Sequence, residues 1–98
     1  MRVELTGVFS RAENIVTRKV MDETLLVPIS GDLASMDELY TLNDTGAYLW
    51  ETLDGIRTLA EIGQKLKQRY AASPAVIEAD MLEIMNGLAD VGLIVAEN

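Results

Sequence analysis

The side chains able to do chemistry in this chain are almost all carboxylates. Asp and Glu total 16 against 8 Lys and Arg, and the chain has neither histidine nor cysteine. Carboxylates alone can hold a hard cation or act as a general acid and base, but only where several converge on one point. Their spacing here gives a plainer reading. Asp22-Glu23 falls between two apolar runs, where a turn is expected, and Asp37-Glu38 falls in a polar stretch. Glu78, Asp80 and Glu83 lie on the outward side of a helical repeat and read as a solvated face. Without imidazole or thiolate, Ser-His-Asp and Cys-His catalysis have no base, and disulfides and Cys- or His-ligated metal sites are excluded. The seven glycines are scattered, with neither GxGxxG nor GKS/T to cradle a phosphate. An enzyme built on this chain would have to run on carboxylate, Lys or Tyr, and no constellation specifies one. The reading is therefore non-catalytic, with no catalytic residues, no metal and no cofactor.

The balance of 16 acids and 8 bases gives a formal charge of -8, which repels nucleic acid and anionic membranes and favours basic partners. No apolar run approaches the roughly 20 residues of a membrane-spanning helix. The opening MRVELTGVFSRAEN lacks the apolar centre of a signal peptide, so a cytoplasmic location is expected.

The elements that must position these side chains follow from periodicity. At 98 residues and 49% hydrophobic the chain supports one small domain, and one Trp, one Phe and three Tyr leave its core mainly aliphatic. Residues 1–13, where Val3 and Leu5 alternate, read as an N-terminal arm or short strand; residues 14–98 read as the domain proper. Ile15, Val16, Val20 and Met21 form one β-type run and Leu25, Leu26, Val27 and Ile29 another, with Asp22-Glu23 as the tight turn of a hairpin. Pro28 lacks an amide hydrogen and belongs at an edge or a strand end. After the polar loop SGDLASMDE comes a third short strand, LYTL, residues 39–42, with Tyr40 and Leu42 on one face and Leu39 and Thr41 on the other.

Three helices follow. Asn43 caps the first, which carries Leu49, Trp50 and Leu53 on its apolar face and stops at Asp54-Gly55. Thr58 and Glu61 make a capping box for the second, with Leu59, Ile62, Leu66 and Tyr70 at helical spacing. Ser73 and Pro74 open the third, whose buried stripe is read as Ile77, Met81, Ile84, Met85 and Leu88, with Leu82 on the flank. Gly92 ends it, and LIVA, residues 93–96, closes the chain as an extended tail. The expected fold is α+β and winged-helix-like: an N-terminal three-stranded antiparallel sheet, three α-helices and a short C-terminal extended segment. Helix-turn-helix folds invite a DNA-binding reading. Residues 75–91, however, hold Glu78, Asp80, Glu83 and Asp90 and no Lys or Arg, and would repel the phosphate backbone.

The ordered set LNDTGAYLWETLDG, RTLAEIGQKLKQRY and ADMLEIMNGLADVGLI resembles the PqqD-like family, small recognition elements for ribosomally synthesised, post-translationally modified peptides. The matching positions are Leu42, Asn43, Thr45, Gly46, Ala47, Trp50, Asp54 and Gly55; then Thr58, Glu61 and Ile62; then Asp80, Leu88, Gly92, Leu93 and Ile94. The quinone chaperone that gives the family its name typically carries Pro-Glu-Gly before its third strand. This chain has VPISGDLASMDELYTLN there, so the likeness is to a PqqD-like member in general.

The resemblance implies an adaptor without catalysis. It would bind the leader of a ribosomally made precursor peptide by β-strand addition and present it to a separate modifying enzyme, of the radical SAM or peptidase/cyclase kind. Carried over by residue, the peptide would meet Leu39, Tyr40, Thr41 and Leu42 on the third strand, and Met81, Leu82, Met85 and Leu88 on the third helix. Two other readings stand beside it: a winged-helix DNA-binding regulator, and a self-associating structural module, a homodimer whose exposed strand pairs with its own copy.

Overall fold

The computed structural model describes residues 3–13, 15–28 and 40–97. The hairpin forms from β2 (Ile15–Val20) and β3 (Glu23–Pro28), after a first strand β1 (Val8–Arg11). Its loop sits one residue earlier than the acidic pair suggests. Val20 pairs with Glu23, so Met21 and Asp22 make the turn, with Met21 at φ 56°, a conformation that favours glycine. Pro28 ends β3, opposite Ile15. The third strand of this sheet, β4 (Tyr40–Leu42), pairs antiparallel with β3 in the register Thr24↔Leu42, Leu25↔Thr41, Leu26↔Tyr40. Among the described strands the order β2-β3-β4 leaves β2 and β4 as the two edges. Leu39 and Ile29 lie outside the described residues.

Each helix begins where its cap places it. Asn43 Oδ1 accepts from the Gly46 amide at 2.9 Å and opens α1 (Asp44–Thr52). The Thr58 hydroxyl accepts from the Glu61 amide while Glu61 accepts from the Thr58 amide, opening α2 (Leu59–Arg69). Ser73 and Pro74 open α3 (Pro74–Asp90). Gly92, at φ 77°, closes it in a Schellman-type turn with Leu93 N–H bonded to Leu88 C=O at 2.9 Å.

The tail strand β5 (Ile94–Glu97) does not stand alone. It pairs antiparallel with β1, joining the two ends of the chain in a second, two-stranded sheet. The amides of Leu59 and Ala60 bond to the carbonyls of Gly7 and Leu5, which lays the arm along the start of α2. Val3 and Phe9 share one core with Leu26, Leu42, Leu49, Trp50, Leu66 and Leu93. The fold is thus α+β, with the three-stranded sheet first and the three helices after it, and winged-helix-like only loosely. Among the described residues no helix is long and apolar enough to cross a membrane.

Candidate functional site: the open edge of β4 and its cleft against α3

The site is built around one short strand. Leu42 is buried, Thr41 is exposed and Tyr40 is half-buried, so β4 sends Tyr40 and Leu42 inward and Thr41 out. Its end is tightly held. Asn43 caps α1 directly after it, and Gly46, in the first turn, lies so close that an added Cβ would sit 3.2 Å from Leu42 Cβ. Tyr70 reinforces this corner: its hydroxyl donates to the Asp44 carbonyl at 3.3 Å, and its ring meets Tyr48 edge-on with centroids 6.4 Å apart. The Arg69 guanidinium lies 4.7 Å from the Tyr48 ring centre and adds a cation–π contact. Strand end, helix start and the α2 terminus are therefore one rigid corner.

A cleft of about 380 Å³ opens beside this strand, lined by Asp22, Glu23, Tyr40, Thr41, Leu42, Asn43 and Ile84. A second hollow of about 170 Å³ continues it along Asn43, Thr45, Asp80, Glu83 and Ile84. The far wall is thus the face of α3 that carries Asp80, Glu83, Ile84 and Gly87. Those positions fall together because each residue turns the helix by about 100°. Gly87 is where the wall comes closest. A Cβ there would lie 2.5 Å from the Tyr40 hydroxyl, so the bare backbone of α3 makes room for the Tyr40 ring. Burial, and then the nearby Asp90 carboxylate, raise the Tyr40 phenol above its ordinary pKa of 10.0.

This geometry corrects part of the expected contact set. Met81, Met85 and Leu88 are fully buried in the core. Met81 faces α2, where a Cβ on Gly63 would lie 3.0 Å from its Cε. They form the packed side of α3 and leave no surface for a ligand. Leu82 is half-buried on yet another side, about 200° of helix rotation before Ile84. Its carbonyl accepts from Asn86 Nδ2 at 2.9 Å, and Asn86 Oδ1 accepts from the Val3 amide at 3.2 Å, so that side meets the N-terminal arm. Ile84, assigned by periodicity to the buried stripe, is half-buried and lines the cleft. Of the strand residues, Tyr40, Thr41 and Leu42 line the cleft, and Leu39 falls outside the described residues. The signal that sequence reasoning missed was Gly87, a glycine inside a helix, which costs helix stability and marks a close approach.

No group of three or more Asp or Glu able to hold a metal occurs among the described residues. Among the described residues Asp54 is the carboxyl held well down, at about 2, chiefly by the amides of Arg57 and Ile56 and then by the Arg57 side chain. It shapes the α1–α2 loop, and its role is structural.

The fold and the cleft define a small α+β domain that sets a sheet-edge strand beside a helix. The family model for coenzyme PQQ synthesis protein D (PqqD) matches residues 23–94, and the chain belongs to that family. It is 39% identical over 57 residues to the bifunctional coenzyme PQQ synthesis protein C/D of Methylorubrum extorquens. That match takes in 58% of this chain and only 15% of the relative's length. Among solved structures it is similar to the PqqD part of the Methylobacterium extorquens PqqCD protein, a functional stand-alone RiPP recognition element. The TM-score is 0.73 at 25% identity, over 95% of this chain and 94% of that one. It shares its fold with TbiB1, solved in complex with the TbiA(beta) leader peptide, at a TM-score of 0.68 and 19% identity, over 87% of this chain and 93% of that one.

Proposed function

We propose that this chain is a non-catalytic adaptor that binds the leader segment of a ribosomally made precursor peptide and presents it to a modifying enzyme on a separate chain. The leader adds as a strand along the open side of β4 and lays alternate side chains into the cleft against α3. Main-chain pairing supplies affinity that tolerates sequence, and the cleft supplies selection. The observation that carries this reading is an edge, β4, that no described strand pairs on its outer side, with a cleft of about 380 Å³ running beside it. Membership of the PqqD family and the likeness to a solved recognition element support it.

The contacts fall to Tyr40, Thr41 and Leu42 on the strand, with Leu39 adjoining in sequence, and to Ile84 and Gly87 on α3. Met81, Met85 and Leu88 act from beneath, by fixing the helix in place. The reaction class, whether radical or peptidase and cyclase chemistry, then belongs to the partner enzyme. The setting is the cytoplasm, where precursor peptides are made.

The test is a titration of the nitrogen-15-labelled chain with synthetic peptides spanning the precursors encoded beside its gene. Saturable amide shifts concentrated at residues 40–43 and 80–87 are the expected result. If a folded sample shows none with any of these peptides, and its own shifts at β4 change with protein concentration, the strand edge serves self-association instead.

A further inference from the structure

We infer that the peptide accepted at β4 is basic: it carries Lys or Arg on both sides of its strand-forming segment, and four carboxylates around the cleft select for them. This rests on the strand-addition reading above and adds to it the chemical class of the ligand. The cleft is apolar at its floor, where Tyr40, Leu42 and Ile84 meet, and acidic at both ends. Asp22 and Glu23 stand at the end made by the hairpin turn; Asp80 and Glu83 stand along the α3 wall. Neither hollow has a Lys or Arg among its lining residues.

Among the described residues none of these four acids is in an ion pair, and Lys19, close to the hairpin turn, lines a different hollow with Asp44 and Glu51. The ion pairs among the described residues are Arg57 with Asp54 and Lys67 with Glu78, both away from the cleft. Arg69 stacks on Tyr48, and Arg11 lies 5.9 Å from the Trp50 ring centre.

An apolar ligand would gain nothing from this ring of charge, and an acidic one would be repelled. A strand with apolar residues facing the cleft and cations flanking them meets both surfaces at once. Exposed ion pairs are individually weak. Four acids of one sign acting together steer encounter and reject the wrong charge more than they tighten the right complex, and salt screens that effect.

The experiment titrates the labelled full-length chain with two synthetic twelve-residue peptides. Both share one alternating Leu/Thr centre; one is flanked by Lys, the other by Glu. The Lys peptide is expected to shift the amides of residues 40–43 and 80–87 and to bind roughly tenfold tighter than the Glu peptide, about the effect of two exposed ion pairs. Raising the salt from low to physiological should narrow the gap. The double variant Asp80→Asn, Glu83→Gln should narrow it further, while a control at Glu51→Gln, on the outer side of α1, should leave it unchanged.

Equal affinities at the same amides overturn the charge inference and leave strand addition standing. Shifts for the Lys peptide scattered over the acidic surface, unaffected by the double variant, also overturn it. Absence of shifts at β4 and α3 with either peptide, together with absence of shifts from the precursor-derived peptides, removes the strand-addition reading and this inference with it.

Discussion

The three-stranded sheet has two edges, β2 and β4, and they differ in length, charge and surroundings. β2 runs six residues, exposed from Val16 to Val20, with Arg18 and Lys19 at its centre. β4 runs three residues, has no charged residue of its own and faces a cleft against α3. An exposed edge invites pairing with any other strand, and charged side chains, Lys especially, are the usual guard. β2 carries that guard and is also pinned from within, where Trp50 Nε1 donates to Thr17 Oγ1 at 3.2 Å. β4 is guarded by shortness and by the wall of α3, which limits what can approach and from where. One sheet thus has an edge lined with charge and an edge that faces a cleft.

The packed side of α3 and its cleft side can be separated by mutation. Met85→Ala removes a fully buried side chain and should cost about 2–5 kcal/mol in chemical denaturation. Ile84→Ala, one residue earlier and half-buried, should cost a clearly smaller amount and still weaken peptide binding, read by the same amide titration. If both variants lose stability equally, α3 has no free face at Ile84 and the cleft is part of the core.

Next in size is the guard on β2. Arg18→Val with Lys19→Thr converts that edge into a longer apolar one beside Val16 and Val20, which are 38% and 51% exposed. Light scattering should then show association that grows with concentration, with the helical circular dichroism retained, while peptide binding at β4 stays as in the parent chain. A monomeric variant would mean that twist or shortness, not charge, keeps β2 unpaired.

Smaller again is the cap that ends β4. Asn43→Ala deletes the acceptor for the Gly46 amide and should lower stability by about 1 kcal/mol in thermal or chemical unfolding. Because Asn43 also lines the cleft, the peptide titration should weaken too. An unchanged melting curve would place the start of α1 elsewhere.

What could be read from the sequence was local. The caps at Asn43, Thr58 and Ser73 and the stop at Gly92 are set by side chains within three residues of the groups they serve, so each helix starts or ends where its motif says. The hairpin and the alternation of Tyr40, Thr41 and Leu42 are local in the same sense. The pairing of β1 with β5 is not: Phe9 and Ala96 meet across nearly the whole chain, and no short-range pattern announces that. The cleft face of α3 was obscured for a different reason. Ile84 lies within about 100° of the stripe that holds Ile77, Met81 and Leu88, so period alone groups it with them. Only the position of β4 decides that this flank stays partly open. Met81 and Met85 misled because their chemistry suits an adaptable wall as well as it suits a core.

The smallest expected effect lies on neither edge and serves as the control for acid conditions. Asp54 accepts from the amides of Ile56 and Arg57, each at 2.9 Å, and from Arg57 Nε at 2.9 Å, which turns the chain from α1 into α2. These donors favour the ionised form and lower its pKa from 3.8 to about 2 in the folded chain. The unfolded chain therefore binds this proton at a higher pH than the folded one. The stability Asp54 contributes is fully present above pH 4 or so and is lost as the pH falls toward 2. Asp54→Asn should lower the melting temperature slightly at neutral pH and flatten the dependence of melting temperature on pH between 4 and 2. Ile84→Ala should leave that slope as it is. If the slope survives in Asp54→Asn, other carboxylates carry the acid sensitivity, and peptide binding measured below pH 4 would no longer separate the edge from the loop.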